Sequence, residues 1–193
     1  MKTLTDLVVI YNKNYASYEE WKLSDFKNRA KSIEELMKDA VWGYLPDLKR
    51  DSHQCQIPKA VLEEMTKRLI APLIIDELKR STCFDDIITI VYELRVPKFS
   101  SLCVYDTALR IGTMFNLYPK VIYLHRGVLD GIINLMGKTE LSKYIKYFLE
   151  DKKYPYIKKE CLPMELQVLE PHHIENFLCR NKERILAFDL KHT

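Results

Sequence analysis

VPKFSSLCVYDTALRIGTMFNLYPKVIYLHRG, residues 96–127, is the stretch on which the fold reading turns. Pro97 disfavours helical backbone at the residue before it, so the apolar run Ile87, Ile88, Val91, Leu94, which begins at a Thr82/Asp85 start signal, must stop there. Ser100 or Ser101 can then cap a second helix. Leu102, Tyr105, Leu109 and Phe115 carry its periodicity to about Asn116. The pattern is helix, tight turn, helix, with VPKFS as the turn. The second helix holds more than core residues. Asp106 and Arg110 are one helical turn apart and share a face, Tyr105 stands beside them, and His125 and Arg126 follow after one short connection. Asp106, Arg110, His125 and Tyr105 are the candidate catalytic residues, with a neutral histidine near a carboxylate as the acid–base element. The structural alternative is an internal Asp106–Arg110 ion pair.

Working outward, Ser17 with Glu20 and Ser32 with Glu35 both have capping-box spacing. Phe26, Ala30, Ile33, Met37, Ala40, Val41 and Tyr44 predict one amphipathic helix up to Gly43–Pro46. A polar loop containing His53 and Gln54 leads to Pro58, which suits a first helical position. Leu62, Met65, Leu69, Leu73 and Leu78 continue, with Pro72 kinking or splitting the helix. After Pro119, VIYL is ambiguous between a short strand and a buried helical turn. Residues 128–136 and 139–150 read as helix, 151–163 as a basic, tyrosine-rich connection, and Pro171 opens a last helix through Ile174, Phe177, Leu178 and Ile185.

The 193 residues suffice for one well-filled core. The expectation is a single helical domain over 1–193: N-terminal helices in 1–50, a central helix-turn-helix core in 58–137, and a basic segment with the C-terminal helix in 138–193. Hydrophobic residues at 47% and charged residues at 30% exclude a disordered chain. No apolar run approaches the roughly 20 residues of a membrane span, and the N-terminus lacks a secretory pattern, so the expected location is cytoplasmic, with no membrane partner. Cys55, Cys83, Cys103, Cys161 and Cys179 contain no Cys-x-x-Cys pair, and the adjacent His172 and His173 point about 100° apart on a helix, so neither metal nor cofactor is expected. A net charge of +3 does not by itself imply a polyanion partner.

VYDTALRIG followed by PKVIYLHRG, with HQCQIP before and HHIENFLC after, resembles an uncharacterised bacterial protein family that carries similar words in this order over roughly residues 50–185. That likeness implies no particular activity. The VPKFS turn, and Asp106–Thr107 with Arg110, resemble the helix-hairpin-helix DNA glycosylases. There a Leu-Pro-Gly-x-Gly hairpin aims backbone N–H groups at a DNA phosphate, and an aspartate assists base excision. Lys98 and Ser100 stand where the hairpin glycines would be, and Asp106 falls inside the helix directly after the turn rather than beyond it. The resemblance implies phosphate contacts from Lys98, Ser100 and Ser101 and a helix-hairpin-helix-like centre, within the all-α, compact multi-helix domain that the helical periodicity predicts.

A second basic surface is expected where Lys143, Lys146, Lys152, Lys153, Lys158 and Lys159 alternate with Tyr144, Tyr147, Tyr154 and Tyr156. Lysines neutralise phosphates and tyrosines stack on unpaired bases; the alternative is a solvated face with tyrosines packed inward. The expected function is nucleic-acid binding, DNA first, as a repair- or defence-related accessory. Two alternatives stand beside it: an enzyme acting on a nucleotide or base through an Asp/Arg/His pocket, and a protein-interaction module using Trp21, Trp42 or the tyrosines.

Overall fold

The computed structural model describes residues 3–29, 31–47, 49–147 and 154–189, with side chains as far as Ile185. The chain is mostly helical. Its elements are α1 (Leu4–Tyr11), α2 (Ser17–Lys27), α3 (Ile33–Trp42), α4 (Ser52–Cys55), α5 (Lys59–Leu69), α6 (Pro72–Arg80), α7 (Phe84–Glu93), α8 (Ser101–Met114), β1 (Ile122–Tyr123), α9 (Arg126–Met136), α10 (Lys138–Ser142), β2 (Lys146–Tyr147), β3 (Pro155–Ile157), α11 (Met164–Gln167) and α12 (Pro171–Asp189). A π-helical stretch, Asn12–Ala16, joins α1 to α2. Two compact units divide the chain, one of residues 20–119 and one of 1–19 with 120–193. No helix among the described residues is long and apolar enough to cross a membrane.

In the unit of residues 20–119, local chemistry sets the helix ends. Ser32 and Glu35 form a reciprocal capping box at the start of α3, so the expected single helix over 26–44 is two helices. The box satisfies orphan amides that a continuous helix would not expose. Gly43 ends α3 in the left-handed region at φ 66°. Pro72 stands in the first turn of α6 and separates it from α5. Asp86 rather than Asp85 opens α7, accepting from the amides of Thr82 and Cys83. Ser100 caps α8, its Oγ accepting from the Cys103 amide at 3.2 Å. The helix ends with Asn116 at φ 57° and with the Leu117 amide bonded to the Gly112 carbonyl at 2.9 Å, the pairing of a Schellman terminus. A Cβ on Gly112 would lie 2.4 Å from the carbonyl oxygen of Leu117, so the terminus needs glycine there.

α7 and α8 pack together as a helical hairpin, and α3 and α4 also lie against α8. Met37, Val41, Leu62, Met65, Leu69, Leu78, Ile87, Val91, Val104, Ala108 and Ile111 are the inward stripes of these helices and are fully buried. One charged group is buried with them. Asp39, 4% exposed, accepts from Arg29 at 2.9 Å and from Lys31 at 2.6 Å, so its desolvation is offset by two cations.

In the other unit, α9 packs along α12. The approach is close: a Cβ on Gly127 would lie 2.6 Å from Cys179 Sγ, and one on Gly131 2.7 Å from the Leu178 carbonyl. Leu7, Tyr11, Ile122, Val128, Ile132, Ile157, Leu166, Ile174, Phe177 and Leu178 form its core. VIYL resolves as strand β1, in an antiparallel sheet of order β1-β3-β2 with Ile122 opposite Ile157 and Lys146 opposite Tyr156. The helix expected over 139–150 ends at Ser142. Strand β2 follows, and the connection expected over 151–163 contains β3.

Candidate functional site

The polar residues of residues 20–119 converge where α4 meets α8. Gly43 turns the chain out of α3, and the Asp51 amide returns to the Gly43 carbonyl at 2.8 Å, with Tyr44 and Arg50 bridging across the loop between them. Asp51 then caps α4, its Oδ1 accepting from the His53 amide at 3.2 Å. This single turn presents His53 to α8. His53 Nδ1 lies 3.1 Å from Asp106 Oδ2 and 3.8 Å from Asp51 Oδ1. A carboxylate only accepts, so Nδ1 carries the proton and Nε2 is the nitrogen left for other chemistry.

Arg110, one turn after Asp106 on α8, ties the arrangement together. Its guanidinium donates to the Ala40 carbonyl at 3.2 Å, an orphan acceptor at the end of α3, and reaches Asp51 Oδ2 at 3.5 Å. The side chains of Arg110, Asp106 and Asp51 are only 12%, 17% and 18% exposed, whereas that of His53 is 40% exposed. A shielded bed of charges therefore carries a histidine that solvent and solutes can reach.

The Asp106 hydrogen bond pushes the His53 pKa above the ordinary histidine value, against the opposing effects of burial and the Arg110 charge. Cys103, on the same helix as Asp106, is 2% exposed. Burial pushes its thiol up, which disfavours the thiolate a nucleophile would need.

Of the residues expected to be catalytic, Asp106 and Arg110 belong to this cluster. Tyr105 is buried on α8 with its ring edge-on to Phe84 at 6.0 Å. His125 lies in the other unit, 4% exposed at the position preceding α9. The histidine that meets Asp106 is His53. From the sequence it reads as a polar-loop residue with no partner, because a contact between positions so far apart in the chain leaves no local spacing to read. Asp51, two residues before it, could have been read as a cap.

The residues expected to contact phosphate fall in both units. Lys98 is exposed at φ 72°, in a turn where the Phe99 amide donates to the Val96 carbonyl at 3.0 Å. Proline followed by a residue at positive φ is the pattern of a type II turn, which favours glycine at the Lys98 position. Ser100 caps α8 and its hydroxyl also contacts Cys103 Sγ at 3.3 Å; Ser101 is the first residue of that helix. In the other unit Lys143 is exposed and pairs with Glu140, Lys146 and Lys158 are exposed, and Lys159 reaches the Leu169 carbonyl at 3.4 Å. Lys152 and Lys153 lie outside the described residues. The tyrosines divide between the two expectations: Tyr154 is buried against Tyr123, while Tyr147 is exposed.

No protein-family model, no curated protein and no solved structure matches this chain.

Proposed function

We propose that residues 20–119 carry an acid–base active site acting on a nucleotide or base, with His53 as the proton-transfer group. The observation that carries this reading is the 3.1 Å contact from His53 Nδ1 to a shielded Asp106 while the ring itself stays accessible. A carboxylate behind an imidazole fixes its tautomer and ring direction and stabilises the imidazolium that forms when Nε2 takes a proton. Asp106 is the orienting group. Arg110 and Asp51 hold the turn that presents the ring. The raised pKa keeps a larger protonated fraction near neutrality, so the same ring can give a proton as well as take one. The nucleotide or base is the substrate class implied by the resemblance of Asp106–Thr107 and Arg110 to the helix-hairpin-helix DNA glycosylases.

The test is turnover of nucleosides and nucleoside monophosphates, followed by chromatography of the products, in the wild type, His53→Gln and Asp106→Asn. Loss in both variants at unchanged helix content is the expected result. Full activity in His53→Gln, or no turnover by the wild type across that panel, would sink the reading.

A second reading, nucleic-acid binding at a degenerate helix-hairpin-helix turn, is supported by Lys98. An exposed lysine held at φ 72° projects charge from the corner of the α7–α8 hairpin, in a conformation that costs a side-chain-bearing residue energy. Ser101 at the start of α8 and, by themselves in the other unit, Lys143, Lys146, Lys158 and Lys159 are the further candidate contacts. Titration of labelled DNA should show weak binding that falls with salt and weakens in Lys98→Glu. Binding unaffected by that reversal would reduce the turn to a connector.

A further inference from the structure

His172 and His173 stand in the first turn of α12, directly after Pro171, in the unit of residues 1–19 with 120–193. Adjacent helix positions point about 100° apart, yet these two rings come together, with centroids 4.5 Å apart and planes tilted by 34°. A ring nitrogen of each lies within 4.8 Å of one on the other. The buried Tyr11 hydroxyl is 2.9 Å from His173 Nδ1, which fixes that ring and makes Nε2 its ligand atom. Asn176 comes one turn later and neighbours both histidines on the helix surface. Its Oδ1 is buried and accepts no hydrogen bond among the described residues. An oxygen shielded from water without a donor costs free energy, and helical side chains lean toward the N-terminus, so this amide leans toward the turn that carries the rings.

We propose that the start of α12 binds a divalent transition-metal ion, with His172 and His173 as imidazole ligands and the Asn176 amide oxygen as the third. A small rotation of the rings brings both nitrogens to the roughly 2.0–2.1 Å of a zinc–imidazole bond. Imidazole selects zinc, nickel, cobalt or copper over magnesium and calcium, which take oxygen ligands. The Tyr11 hydroxyl supplies the outer hydrogen bond that orients a ligating histidine. Three protein ligands leave a coordination position for water or another small ligand, the pattern of an ion that does chemistry rather than one that only staples a fold. The site is independent of the acid–base reading at His53.

The experiment titrates chelator-treated protein with zinc and with magnesium by calorimetry, and with cobalt by visible absorption, in the wild type, His172→Ala, Asn176→Leu and Tyr11→Phe. The wild type should take up one equivalent of zinc and no magnesium, and cobalt should give the absorption of nitrogen ligation. Zinc should raise the melting temperature of the wild type, because the ion binds the folded state. His172 is only half-buried, so His172→Ala should keep its helix content while losing both the uptake and the thermal shift. Asn176→Leu should weaken zinc binding, and Tyr11→Phe, which keeps both imidazoles, should weaken it by about 10–100-fold. Zinc affinity should also fall as pH drops below the ordinary histidine value, since only the neutral ring ligates. A wild type that binds no zinc at millimolar ion would overturn the proposal, as would zinc binding that His172→Ala leaves unchanged. Unchanged affinity in Asn176→Leu would overturn the assignment of the third ligand.

Discussion

Replacing Lys98 by glycine should stabilise the protein, although it removes a side chain and a charge. Lys98 sits at φ 72° between Pro97 and the buried Phe99, in the turn that joins α7 to α8. For a residue with a Cβ the left-handed region costs roughly 1–2 kcal/mol. Glycine does not incur that cost but loses about 0.5–1 kcal/mol more backbone entropy on folding. The difference is a gain of about 0.5–1 kcal/mol, since the exposed lysine contributes no packing to set against it. Lys98→Ala keeps the Cβ and the strain, so it should stay close to the wild type. Urea unfolding of the three proteins measures this directly, with the midpoint ordered glycine above lysine and alanine, at a common slope. A glycine variant less stable than Lys98→Ala would mean that the turn is not strained by its side chain. If both variants also lose DNA binding while one gains stability, the lysine is retained for its charge.

Asp39→Ala should cost about 1.5–3 kcal/mol, since Arg29, only 11% exposed, loses its buried carboxylate while keeping Asp25 at 2.9 Å; circular-dichroism melts check this, and a loss under about 1 kcal/mol would show that water replaces the aspartate. Gly131→Ala should destabilise by about 1–3 kcal/mol, because its Cβ would meet the Leu178 backbone at 2.7 Å and α9 would have to move off α12; unchanged unfolding would contradict that close packing.

Helix boundaries were legible wherever a short-range device sets them. The Ser32–Glu35 box, Pro72, the Ser100 cap and Pro171 each act over three or four residues, and each falls where the sequence reading put it. Capping spacing misled at Ser17, because the chain arrives there already helical through Asn12–Ala16 and no new start is exposed. The periodicity of 26–44 misled for the opposite reason, since a box inside it wins locally. Strands β2 and β3 were illegible. They are two and three residues long and owe their form to partners across the sheet, such as Ile157 opposite Ile122, rather than to any alternation of their own. The site divides in the same way. Asp106 and Arg110 stand out as charges among apolar neighbours on one helix, while His53 and Asp51 gain their meaning from tertiary contacts with α8.

The contact between His53 and Asp106 can be read by an NMR titration of the His53 ring in wild type and Asp106→Asn. The Asp106 hydrogen bond raises the folded-state pKa above the unfolded value of 6.5. The stabilisation this provides is then fully present below pH 6.5 and is lost as pH rises through the folded value. With the ring 40% exposed, solvent screening holds that contribution to about 1 kcal/mol or less. The wild-type ring should titrate above 6.5, and in Asp106→Asn its midpoint should move down toward the ordinary value, with a shallower fall of melting temperature across that pH window. A wild-type midpoint at or below 6.5, or one that Asp106→Asn leaves in place, would contradict that contact.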